Sequence, residues 1–84
     1  MTENKLNIAK SHIERYTARM ELLEKDMARE ARYIQEDLAK GKVYWIDAYT
    51  KKLQGYYTEH QHYKKLQEEM RDLLDFITRE EEAE

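Results

Sequence analysis

The sequence predicts an all-α fold, a two-helix antiparallel coiled-coil hairpin that pairs into a four-helix bundle as a homodimer. Three observations carry this expectation. Apolar residues recur at spacings of three and four along two long stripes, the mark of helices packed at a shallow angle. Only one strong breaker, Gly41, interrupts them, and the chain has no Pro. The two stripes also match when the chain is folded back on itself at that glycine.

The first helix is expected over residues 3–39. Its stripe runs Leu6, Ala9, Ile13, Tyr16, Met20, Leu23, Met27 and Ile34. Thr2 fits the N-cap, where a hydroxyl accepts from a free backbone N–H. Gly41 fits the position just past the C-terminus, where the left-handed conformation suits a residue without a Cβ. A turn over 40–43 follows. The second helix is expected over 44–80, with a stripe of Ile46, Tyr49, Leu53, Tyr56, His60, Tyr63, Met70, Leu74 and Ile77. Residues 81–84 read as a frayed acidic tail, and the whole of 1–84 as one domain.

If the chain reverses between Gly41 and Lys42, facing residues have numbers summing to about 83, as in an antiparallel pair of helices. Leu6 then meets Ile77, Ile13 meets Met70, Leu23 meets His60, and Ile34 meets Tyr49. Three layers are polar on one side: Tyr16 with Gln67, Glu30 with Leu53, and Asp37 with Ile46. A straight helix drifts by ~20° per heptad, so the stripe is expected to slide towards Ala31 and Leu38 near the turn. At the far end it is expected to widen to Leu66 and Leu73. A polar residue such as Gln67 inside a seam fixes register at a cost in stability.

Composition narrows the function classes. Charged residues make up 39% and hydrophobic ones 40%, a profile of long helices rather than of a sheet protein or a disordered tail. No Cys is present, which excludes a disulfide framework and Cys-based metal sites. No apolar run approaches the ~18 residues of a membrane span, and "MTENKLNIAK" lacks the apolar core of a signal peptide. The expected location is therefore cytoplasmic, without membrane contact. The net charge of −3 is unevenly spread: Lys40, Lys42, Lys51 and Lys52 surround the turn, whereas Glu68, Glu69, Asp72, Asp75 and Glu80 to Glu82 crowd the C-terminal half.

Chemistry-bearing constellations are few. His60 and His62 lie two apart, which puts them on different faces of a helix, so no metal is expected. His60 falls in the seam and is read as a packed, partly solvated residue. No nucleophile–base pair and no glycine-rich phosphate loop occur, so neither catalysis nor a cofactor is expected. What stands out is the surplus of large apolar residues off the seam: Ile8, Leu22, Tyr33, Tyr44, Trp45, Tyr57, Leu66, Leu73 and Phe76. Two helices alone cannot cover these. Ile46 and Tyr49 are read as core and Tyr44 and Trp45 as surface.

In "YWIDAY" the chain resembles the ESAT-6-like (WXG100) proteins, small helical hairpins with a Trp near the turn, through Trp45, Ala48 and Tyr49. Asp47 replaces that family's glycine two residues after the Trp, and Phe76 with Glu80 only echoes its C-terminal Tyr-and-acid signal.

The function expected from the residues is a non-enzymatic protein-binding module, a small regulator, inhibitor or adaptor that occupies a partner protein's surface. Chains of this size and simplicity are common among virus- and mobile-element-encoded factors. Tyr44, Trp45 and Tyr57 are the expected anchors, since aromatics dominate interface energetics, with Lys51 and Lys52 setting orientation or on-rate. Two alternatives from another class remain. The basic aromatic turn end would suit a nucleic-acid binder using phosphate contact and base stacking. The acidic C-terminal half would suit a mimic of a nucleic-acid backbone.

Overall fold

The computed structural model describes residues 2–83 of the backbone and residues 4–82 of the side chains. The Thr2 hydroxyl and Glu84 lie outside the described atoms. Two helices of 38 residues each, α1 (Thr2–Ala39) and α2 (Ile46–Ala83), pack against one another and account for all regular structure among the described residues. The molecule is a rod with Cα extents of 65 × 14 × 14 Å. No described helix is long and apolar enough to cross a membrane.

Gly41 ends α1 as its sequence position suggested. Its φ of 70° lies in the left-handed region. There the Gly41 N–H donates to the Leu38 carbonyl at 3.1 Å and the Lys42 N–H to the Asp37 carbonyl at 2.8 Å. These are the two bonds of a Schellman cap, which satisfy carbonyls that the helix leaves without partners. The second helix begins at Ile46, two residues later than expected. The Trp45 carbonyl accepts the first helical bond from the Tyr49 N–H at 3.0 Å, which makes Trp45 the N-cap. Asp47 then places a carboxylate in the first turn, where the helix dipole favours it. At the other end α2 continues to Ala83, so residues 81–83 of the expected tail are helical.

The heptad seam is realised along its whole length. Every residue of both apolar stripes is buried or half-buried. Complete burial is nonetheless scarce. Among the described residues Leu23 alone has a large side chain fully removed from solvent, joined by Ala9 and Ile77 as buried apolar residues. Two thin helices have too little volume to enclose more, as the scaling of surface with size requires.

Two of the polar seam positions are buried, and they are treated differently. Gln67 donates to the Thr17 hydroxyl, which in turn donates to the Ile13 carbonyl at 2.8 Å. Glu30 is only 3% exposed; one carboxylate oxygen lies 3.6 Å from Arg29 and the other has no hydrogen-bond partner. Near the turn, Ala31 becomes half-buried as the slide predicts, but Leu38 stays 56% exposed. Under the seam pairing Leu38 faces position 45, and α2 begins only at Ile46, so no helix stands opposite to cover it.

Candidate interaction surface

Bonds between the helices gather in the middle of the rod. On one flank Arg19 donates to Glu59 at 2.8 Å, a contact that raises the Arg19 pKa above its ordinary value. On the other flank His60 Nε2 lies 3.1 Å from Glu24. His60 is therefore packed in the seam as expected, but a carboxylate engages it, and its Nδ1 has no partner. Glu59 and His62 do share a face at i,i+3 spacing, a pattern found in metal-binding bundles. Glu59 is committed to Arg19, however, and no group of three metal-ligating side chains forms among the described residues.

At the turn end the sequence-predicted anchors are on the surface. Tyr44 is 81% exposed and Trp45 is 55% exposed, and the two rings meet edge to face with centroids 4.9 Å apart. Such a pair prefers this geometry because the electropositive ring edge meets the electron-rich face. The rings stand just before α2 because Trp45 caps it. Lys51 and Lys52 are exposed in the second turn of α2. Tyr57 is also exposed, but it lies eleven residues beyond Ile46, ~17 Å along the helix at 1.5 Å per residue, on the other flank. The anchors thus form a cluster of four with Tyr57 apart from it. Ion pairs among the described residues are made by Arg19, Arg29 and His60, and none within 4 Å involves Lys40, Lys42, Lys51 or Lys52.

Behind this cluster the seam closes as expected. Ile46 and Tyr49 are half-buried, and Tyr49 packs on Tyr33 with ring centroids 5.5 Å apart. Burial, with Asp37 and Glu30 nearby, pushes the Tyr49 phenol above its ordinary pKa of 10.0, since both influences disfavour the phenolate.

A second surface was not assembled from the sequence. At the open end, where the two chain termini lie, Ile8 and His12 of α1 and Leu73 and Phe76 of α2 line a groove of about 410 Å³. Lys5 and Glu80 stand at its rim. The signal was available, because Ile8, Leu73 and Phe76 are all off-seam apolar residues. That they face one cavity depends on how the two helices are rotated against each other.

Comparison of the chain with family models, with curated proteins and with solved structures gives no match. The likeness to ESAT-6-like proteins therefore rests on the residues quoted for it.

Proposed function

We propose that this hairpin is a non-enzymatic protein-binding module that self-pairs into a four-helix bundle and uses its turn end to occupy the surface of another protein. One observation carries the reading: more large apolar side chains stand exposed than are buried, on a rod with a single fully enclosed one. Single exposed apolar residues are ordinary, but so many on a small helical scaffold with so little enclosed core favour a surface that another chain covers. The Tyr44–Trp45 pair supplies rigid, amphipathic anchor area, and Lys51 and Lys52 add a positive field that would steer an acidic partner. A regulator, inhibitor or adaptor needs no more equipment than this.

The test combines mass with mutation. Light scattering over a concentration series should give twice the chain mass; a folded monomer at all concentrations would remove the self-pairing half of the reading. A partner recovered with the native protein should be lost with Trp45→Ala and should bind with a shallow salt dependence. The unpaired lysines beside an exposed aromatic pair favour one rival, a binder of single-stranded nucleic acid. That rival predicts binding to a labelled oligonucleotide that falls steeply with salt and disappears with Lys51→Glu combined with Lys52→Glu.

A further inference from the structure

The chain holds seven Tyr, and two pairs of them meet across the seam, one ring from each helix. Tyr33 and Tyr49 have centroids 5.5 Å apart at an interplanar angle of 44°. Tyr16 and Tyr63 have centroids 5.9 Å apart at 40°. Both separations fall within the range of about 4.5–7 Å for rings in contact. The pairs differ in access. Tyr49 faces Ile34 in the seam, so Tyr33 stands one residue off it and is 39% exposed, whereas Tyr16 and Tyr63 are both half-buried.

We propose that Tyr33 and Tyr49 form an oxidative cross-linking site, where a peroxidase-type one-electron oxidant joins the two rings as dityrosine and closes the hairpin covalently. The oxidant takes one electron and one proton from the exposed Tyr33 phenol. The radical left behind carries part of its unpaired spin on the ring carbons beside the oxygen. Tyr49, in contact, gives a hydrogen atom to Tyr33 and becomes the radical in its place. A second oxidation of Tyr33 completes the radical pair. One carbon–carbon bond then forms between an ortho carbon of each ring, and the hydrogen on each of those carbons moves to the ring's oxygen. Both phenols are thereby restored. The chain loses two hydrogens in all, and one hydrogen peroxide is reduced to two waters.

The surroundings favour this pair over the other tyrosines. Burial, with Asp37 and Glu30 nearby, keeps Tyr49 in the protonated form that can give up a hydrogen atom. No Cys is present, so no thiol of this chain quenches the radical. Exposed Tyr44 touches Trp45, and neither Tyr44 nor Tyr57 meets a second tyrosine ring among the described residues. The link would tie residues sixteen apart in sequence, which confines the unfolded chain as a disulfide does. The site stands whether or not the turn end binds another protein.

The test treats the full chain with peroxidase and hydrogen peroxide, with N-acetyltyrosine present as a competing phenol. The expected product is a single chain lighter by two hydrogens, with dityrosine emission and a yield that does not change on dilution of the protein. It should unfold at a higher urea concentration than the unlinked chain. Tyr33→Phe and Tyr49→Phe should each abolish it, since Phe keeps the ring but forms no phenoxyl radical, while Tyr44→Phe and Tyr16→Phe should leave it. N-acetyltyrosine attached at Tyr44 or Tyr57 with no Tyr33–Tyr49 link would show an active oxidant and overturn the proposal. A link that survives Tyr33→Phe would overturn the choice of pair. A product of twice the chain mass, lost with Tyr33→Phe, would overturn closure within one hairpin and place the partner ring on a second copy.

Discussion

The middle of this hairpin and its two ends are built on different terms. Between Tyr16 and Glu30 on α1, the helices are cross-braced by Thr17–Gln67, Arg19–Glu59, Glu24–His60 and Arg29–Tyr56, and Leu23 is enclosed. At the ends no side-chain hydrogen bond crosses between the helices among the described residues; large apolar side chains stand in solvent instead. Directional bonds specify a register, because each is lost when one helix slips by a residue, whereas apolar contact tolerates slippage. The middle therefore sets the alignment. The ends, freed of that task, can present surface to other chains.

The most severe way to break the middle is Leu23→Ala. It removes the one large side chain that is fully enclosed among the described residues. Leu→Ala at such a site costs about 2–5 kcal/mol, and a small domain has only ~5–15 kcal/mol in total. Loss of a cooperative thermal transition, followed by circular dichroism, is the expected outcome. An unchanged melting temperature would mean that the middle is not where the stability of the hairpin resides.

Glu30 marks the limit of the braced region and should respond in the opposite direction. One of its oxygens is buried without a partner, and Arg29 has two other partners, Asp26 at 3.0 Å and Tyr56 at 3.4 Å. A buried acceptor left without a partner costs about 1–3 kcal/mol in desolvation, a cost that an apolar group of similar size does not carry. Glu30→Leu should accordingly raise the urea midpoint. Gln67→Leu should raise it less or lower it, because Gln67 already has its hydrogen bond. Equal gains at both sites would dissolve the distinction between a satisfied and an unsatisfied seam residue.

This contrast also shows how far the sequence carries. The seam was legible because heptad spacing is a property of one helix at a time: every residue of the two stripes is buried or half-buried, though Leu38 and Leu73, where the stripes were expected to slide and widen, are exposed. Gly41 was legible because its role follows from lacking a Cβ. Leu38 was misplaced, since it lies opposite position 45, before α2 begins at Ile46, and apolar spacing does not encode where a helix starts. Tyr44 and Trp45 were read as surface from their position off the seam. The groove between Ile8 and Phe76 needed the mutual rotation of two helices, which no single stripe contains. The engagement of His60 by Glu24 escaped for the same reason.

The smallest effects come from the two glycines, and their signs should differ. Neither would bring an added Cβ within 4 Å of another atom, so the backbone decides both cases. At Gly41 the φ of 70° is unfavourable for any L side chain, and Gly41→Ala should cost about 1 kcal/mol. Gly55 sits inside α2 with ordinary helical geometry, where Ala is preferred to Gly by about 1 kcal/mol, so Gly55→Ala should stabilise by that amount. Paired urea titrations would resolve the two shifts. Gly55 lies on the same side as Leu22 and Phe76, which sharpens the test. A loss of stability on Gly55→Ala, with helicity maintained, would mean that another chain approaches the α2 backbone closely at that point.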